Sequence, residues 1–405
     1  MNALNRIFPR RGRRGKRRAA ILMMSGLFSV SACLLCGLVV DTGQVCVAKT
    51  ELQRCADSAA LAGTAVLLPK SALNGGEPDP TAATYASWTE ARQYVGANPC
   101  RGVKQMDLQP EDMVFSRYKH NETDPEQSEF ILTSTSYNSA KVQARRDPGR
   151  NGPIPLYFGG LVGLPAVNAQ AEAAAFLEKD FEGFDIEPGS TATCKLLPFS
   201  LWERLWNVRV AQAHDEFTHD PINNVVSNGG DGVYEIRLYP SDLDQCPGNF
   251  GTIDIGSLDN STADLSRQIL DGPNAWDLSF FPNSQFRIAE TDPEEFAGRK
   301  ILRLNGDTGI SAAIKDELYA IRGQPRILPL HWKAIGNGNN AEFRIVKFVG
   351  VTILDVKLTG ALKNKYVKIQ PCYVTDGTAL GGGMDGESSE FLYKPPRLRQ
   401  IKDGK

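Results

Sequence analysis

An α+β protein carried on one long N-terminal helix is what this sequence predicts, and three observations predict it. Residues 19–40 form an apolar run of 22 without a charged side chain. Helical spacing then continues to Leu68, with no proline between residues 19 and 68. Beyond residue 110, short segments of alternating apolar and polar residues, separated by Gly, Asn and Pro, read as mainly antiparallel sheet with a few short helices.

The N-terminal run comes first. Its 22 residues would make a helix about 33 Å long, against a hydrocarbon core of roughly 30 Å. Residues 1–18 carry eight basic side chains (Arg6, Arg10, Arg11, Arg13, Arg14, Lys16, Arg17, Arg18) and no acid, and Asp41 closes the far side. This asymmetry sets a single-pass orientation in the bacterial inner membrane, N-terminus cytoplasmic and C-terminal bulk periplasmic. Without the head, 37 basic side chains face 47 acidic ones, a net charge near −10 for residues 19–405. A mildly acidic body argues against nucleic acid as a partner, because phosphate binding needs clustered Lys and Arg. Two other fates of the segment stand beside the anchor. A cleaved signal peptide would have a shorter apolar stretch and an A-x-A site. A lipoprotein modified at Cys33 fits Val30-Ser31-Ala32-Cys33 loosely, but leaves Leu34–Val40 as an apolar stub.

Past the membrane, Leu38, Asp41, Val45, Ala48, Leu52, Cys55, Ala59, Ala62 and Val66 hold helical 3-4 spacing, so residues 41–68 read as an amphipathic stalk. Span and stalk together make about 50 residues, some 75 Å of helix. Ser25, Ser29, Cys33 and Gly37 in the span, and Ala48, Leu52, Ala59 and Ala62 in the stalk, are the candidate helix-packing interface. Small side chains there let another backbone approach closely. The alternative for the stalk is a core helix of the chain's own exported domain.

Residues 69–180 are expected to form a first exported domain, entered through a Gly/Pro-rich linker at 70–84. It holds a helix at Tyr85–Ala97, strands at Asp112–Ser116, Glu129–Ser134 and Lys141–Arg145, and a short apolar helix at Pro155–Gly163. The period-two stretch Val167–Ala175 reads as a half-buried strand. Residues 192–374 form the second domain. Its strands are expected at Val233–Tyr239, Gly251–Ile255, Arg326–Pro329, Phe343–Phe348, Thr352–Leu358 and Tyr366–Gln370, and its helices at Ser261–Leu270 and Ile310–Arg322. Turns are expected at Asn305-Gly306 and Gly336–Asn340. Residues 375–405, Gly-rich and then basic, read as a flexible tail.

The chemistry is sparse. His214 and His219 bracket a carboxylate-rich stretch and could serve a metal-binding protein or an anchored envelope hydrolase. Their five-residue spacing places them about 140° apart on a helix, where a zinc pair needs four. Asp242/Asp244 and Asp254/Asp259 lack calcium-loop spacing. No G-x-S-x-G and no G-x-x-x-x-G-K-[ST] occurs. No enzyme activity and no cofactor is expected. Six cysteines lie beyond the span: Cys46, Cys55, Cys100, Cys194, Cys246 and Cys372. In an oxidising compartment they are candidates for disulfides whose pairing sequence cannot assign. Cys46 and Cys55 fall on opposite faces of one helix and should not bridge to each other.

The string VDTGQVCVAKTELQRCADSAALAGTAVLL (Val40–Leu68) behind an Arg-rich head resembles the N-terminal region of TadG-like proteins of the Tad/Flp pilus-assembly system. The patch Lys141–Arg146, Asn151–Phe158 and Val167–Ala175 is similar to the segment that follows in that family. The resemblance implies a non-enzymatic envelope component that partners other pilus-assembly proteins and inner-membrane lipid, working by helix packing and protein–protein contact. Gly12 and Gly15 lack the glutamate five positions on that prepilin peptidase uses. No aspartate opens the D-x-S-x-S metal motif that some members carry.

Overall fold

The computed structural model describes residues 13–68, 70–75, 79–119, 129–133, 137–179, 181–208, 212, 214–239, 250–256, 261–291, 299–307, 310–336, 338, 341–361, 364–381 and 388–399. The chain is α+β, with sheets that are mainly antiparallel. Its longest element is α1 (Arg13–Ala65), 53 residues and therefore about 80 Å of unbroken helix. The apolar N-terminal half is bare: Ile21, Leu22, Met24, Phe28, Leu35 and Val39 are all more than 60% exposed. The C-terminal half is the opposite, with Ala48, Leu52, Cys55, Ala56, Ala59 and Ala60 fully buried.

What buries them is the chain's own first unit. Strands β1 (Met113–Lys119), β2 (Glu129–Ile131), β3 (Ser139–Arg146) and β4 (Ala169–Phe176) form an antiparallel sheet. β3 and β4 pair from Ser139↔Phe176 to Arg146↔Ala169. Alternation puts Ala140, Val142 and Ala144 in one hydrophobic cluster with Ala169, Ala171, Ala173 and Ala175, and with the buried stripe of α1. Alanine on both surfaces lets helix and sheet approach closely. A second helix, α2 (Pro80–Ala97), crosses α1 where a side chain at Gly63 would meet Ser87 Oγ at 3.0 Å and Ala91 Cβ at 3.3 Å. Asp79 caps α2 by accepting from the Thr81 and Ala82 amides, and Pro80 takes the first position, so the helix starts five residues earlier than its periodicity suggested.

The second unit is built on β5 (Phe181–Asp185), β6 (Phe199–Trp202), β7 (Phe250–Ile253), β8 (Lys300–Asp307), β9 (Pro325–Ile335), β10 (Ala341–Lys357) and β11 (Tyr366–Pro371). The pairings β10–β9, β9–β6, β6–β7, β7–β8 and β8–β10 close into a ring of five strands. Only β9–β6 in that ring is parallel. β10 can join so many partners because it is 17 residues long. Its first part pairs β8, its last part pairs β11, and β9 runs along it from Glu342 to Thr352.

Several expectations need correction here. The two strands expected at Phe343–Phe348 and Thr352–Leu358 are one. Gly350 between them is a point of close approach, where a Cβ would lie 2.2 Å from the Cys372 carbonyl oxygen. Gly306 is likewise no turn: it lies inside β8, and a Cβ there would sit 2.1 Å from the Thr252 carbonyl oxygen. The expected helix at Pro155–Gly163 reduces to one 3-10 turn, Gly159–Val162, next to a two-residue strand at Ile154–Pro155. The segment 70–84 is not a free linker. Lys70–Asn74 forms a 3-10 turn that puts Leu73 into the second unit's core. Asn74 pins it by donating to the Gly232 carbonyl and accepting from the Tyr234 amide.

The tail expected to be flexible over 375–405 is also structured where it is described. Leu392 is 1% exposed, and Ser389 Oγ accepts from the Phe181 amide at 2.8 Å. A final strand, β12 (Arg397–Arg399), then pairs antiparallel with β4 of the first unit. The physical reason is an unpaired edge of β4 that the returning chain satisfies. Residues 382–387 and 400–405 lie outside the described residues.

Candidate functional site: the loop held on the long helix

The buried stripe of α1 begins inside the apolar run. Gly37, Asp41, Gln44, Ala48, Leu52, Cys55 and Ala59 follow each other at 3-4 spacing, and all are buried. Its first three members hold one loop. Asp41 is 5% exposed, and its carboxylate accepts from the Tyr157 amide at 2.8 Å and the Phe158 amide at 3.0 Å. Gln44 Nε2 donates to the Pro155 carbonyl at 2.7 Å. Phe158 lies directly on Gly37, where a Cβ would meet its Cγ at 2.8 Å. Asp41 is therefore the latch between the helix and the loop Ile154–Leu164, a role its burial alone would not announce.

Above the loop a second polar knot ties the first unit together. Arg146 is buried and donates to four carbonyls, those of Cys100, Arg101, Gly152 and Pro153, at 2.7–3.1 Å. Glu51 of α1 accepts from the Arg101 amide at 3.0 Å. Asp112, 4% exposed, bridges Arg145 and Arg150 at 2.9 and 3.0 Å. The neighbouring Glu111 is exposed and pairs with Arg150 at 2.6 Å; its pKa is held below the ordinary value chiefly by a hydrogen bond to its own backbone, with Arg150 adding to it.

The sequence-predicted interface residues divide into two groups. Ser25, Ser29 and Cys33 are exposed on the bare half of α1. Gly37 is covered by Phe158, Ala48, Leu52 and Ala59 are sealed in the chain's own core, and Ala62 is half-buried. The outer stripe is thus occupied within the chain and is not open to another subunit. The helix runs through Cys33 without a break.

Cys46, Cys55, Cys100, Cys194 and Cys372 are free thiols, and Cys246 lies outside the described residues. No disulfide joins the described cysteines. Each buried thiol instead donates to a carbonyl: Cys55 to Asn98 at 3.5 Å, Cys100 to Ala48 at 3.7 Å, Cys194 to Pro273 at 3.6 Å and Cys372 to Tyr373 at 3.5 Å. Burial pushes the Cys55 and Cys372 thiols up to about 12, and Cys100 and Cys194 upward as well. Cys46 is exposed while Cys55 is buried, as opposite helix faces require.

His214 and His219 do not converge. His214 is exposed, whereas His219 is buried on a strand and its Nε2 pairs with the Gly323 carbonyl at 2.8 Å. Burial lowers its pKa from 6.5. Among the described residues no three His, Cys, Asp or Glu side chains gather as metal ligands do. Asp254 pairs with Asn305 Nδ2 at 3.0 Å, while Asp242, Asp244 and Asp259 lie outside the described residues. One pair escaped sequence reasoning: Ser200 Oγ and His331 Nδ1 are 2.7 Å apart across β6 and β9. Exposures of 0% and 1% seal them from any substrate, so their contact ties two strands of the ring.

Two family models match the N-terminal part of the chain. Residues 19–67 match the family described as "Putative Flp pilus-assembly TadE/G-like", and residues 62–175 match "Putative Tad-like Flp pilus-assembly". Over residues 19–175 the chain is therefore similar to the Tad/Flp pilus-assembly family, and the two matches support a TadG-like protein. The junction of the two matches falls within the last turns of α1, so the TadG-like region covers the helix and the sheet that buries it as one continuous piece. No curated protein and no solved structure matches the chain.

Proposed function

We propose that this TadG-like chain is a non-enzymatic, membrane-anchored component of a Tad/Flp-type pilus assembly or secretion apparatus. Its N-terminus lies in the cytoplasm and its body outside the inner membrane. The observation that carries this reading is the division of α1. One half is long, apolar and bare enough to cross a membrane, and the other is the central element of the folded body. A helix continuous across that division couples the bilayer mechanically to the first unit, as an assembly component requires. The basic head and the absence of charge from residue 19 to 40 set the direction. Contact with other pilus subunits falls to what the fold leaves free: the small, exposed Ser25, Ser29 and Cys33 within the span, suited to close packing against another transmembrane helix.

The test is purification of the full-length chain from membranes, with identification of what accompanies it. Other envelope components of the apparatus should co-purify, and Ser29→Leu or Cys33→Leu should weaken their recovery while leaving the body folded. Recovery of the uncleaved chain from the soluble cytosolic fraction would overturn the reading.

A further inference from the structure

The loop Leu156–Leu164 is built to enter lipid. It carries five apolar side chains that nothing in the fold covers fully: Tyr157 and Phe158 (73% and 43% exposed), Leu161 and Val162 (74% and 72%) and Leu164 (52%). No charged residue occurs from Asn151 to Ala171. Six of its amides are paired: Leu156 donates to Pro165, Leu161 to Phe158, Gly163 to Gly160 and Leu164 to Gly159, while Asp41 takes the Tyr157 and Phe158 amides. Gly163 closes the turn in the left-handed region (φ +80°), with its amide directed back at Gly159 and Gly160. Pairing of this kind lowers the cost of bringing irregular backbone to the membrane interface, where the remaining polar groups still reach headgroup water.

Depth follows from the latch. Counting a hydrocarbon core of about 30 Å from Ala19 at 1.5 Å per residue reaches Leu38 or Val39. Phe158 packs on Gly37, about 6 Å to the membrane side of Asp41 along the helix. The loop therefore lies level with the end of the span, beside the exposed Leu34, Leu38 and Val40. We propose that Leu156–Leu164 inserts into the bilayer leaflet on the side of the folded body, as a second membrane contact beside α1. With Tyr157 at the headgroup level and Leu161 and Val162 among the acyl chains, the loop would fix the tilt and rotation of the body over the membrane. The proposal rests on the reading of α1 as an anchor, and its test separates the two.

Full-length chain carrying Cys33→Ser, Cys36→Ser, Cys46→Ser and Cys246→Ser would receive one new cysteine at Leu161, Val162, Leu35 or Tyr85. All four positions are exposed, and Tyr85 lies on α2 near the Gly63 crossing, about 40 Å further along α1 than Gly37. Each variant, labelled with an environment-sensitive fluorophore, is reconstituted in phosphatidylethanolamine–phosphatidylglycerol vesicles. A fraction of the lipids bears a nitroxide near the top of the acyl chain. Positions 161 and 162 should show blue-shifted emission and nitroxide quenching comparable to position 35, with position 85 unquenched. Quenching at 35 with 161 and 162 matching 85 would overturn the loop proposal alone. Loss of quenching at 35 as well would overturn the anchor, and the loop proposal with it.

Discussion

Replacing Asp41 with alanine removes the acceptor that holds the loop to the helix. The carboxylate takes two backbone amides, Tyr157 at 2.8 Å and Phe158 at 3.0 Å, from a position only 5% exposed. Hydrogen bonds to a charged acceptor contribute about 1.5–3 kcal/mol each, and donors left buried without one cost a similar amount. The freed amides can partly regain water, so the lower end applies, and the loop should open more easily by about 2–3 kcal/mol. That corresponds to local exchange faster by about 30- to 150-fold. Hydrogen–deuterium exchange of the detergent-solubilised chain, read by mass spectrometry on peptides covering 155–165, measures it directly. Peptides from β3 and β4 should be unchanged, because their amides pair with each other. Asp41→Asn keeps one acceptor and should give an intermediate rate. Exchange at Tyr157 and Phe158 that stays within about twofold of the parent in Asp41→Ala would refute the latch, since two lost bonds cannot be that silent.

Further outcomes follow from the same contacts. Ala59→Leu adds volume to a fully buried site and should cost about 1–3 kcal/mol, whereas Ala62→Leu, half-buried, should cost under about 0.5 kcal/mol; thermal melts of the two variants compare them. At pH 8, a thiol raised to about 12 has roughly 1,000-fold less thiolate than one at the ordinary 9.0. Maleimide should therefore label exposed Cys46 in the native chain and reach Cys55 and Cys372 only after unfolding, as mass spectrometry would show. His219 has a folded pKa below 6.5 because burial disfavours the cation, so the unfolded chain takes up the extra proton first. Stability should be at its plateau above about pH 6.5 and decline as the pH falls toward the folded value, with a flatter profile in His219→Gln under chemical denaturation. Ending the chain at Gly386 removes β12 from the edge of β4, together with the buried Phe391 and Leu392. A loss of at least about 3 kcal/mol is expected from the two side chains, and a melt indistinguishable from the parent would show the tail to be dispensable.

Much of α1 was legible because its cause is local. Length without charge, unbroken helical spacing and the lack of proline act through neighbouring residues, and they yield a helix whatever it packs against. The alternation at Ala169–Ala175 is legible for the same reason, since period two follows from the pleat. Glycine was the main source of error in the second unit. Asn305-Gly306 has the composition of a turn, yet Gly306, like Gly350, is glycine because a carbonyl from another segment passes within 2.2 Å of where a Cβ would be. The spacing of a chain says nothing about which distant backbone will cross it.

The candidate site divides along the same line. Sequence alone determined that residues 19–40 suit lipid and that a small-residue stripe continues past them, because both are properties of composition and helical period. It did not determine what covers the stripe. Tertiary structure decided that Ala48, Leu52 and Ala59 face the chain's own sheet, that Gly37 receives Phe158, and that Asp41 holds amides 116 and 117 residues away. Those partners meet only after the sheet has folded against α1, and the geometry that joins them is a product of packing between segments far apart in the chain.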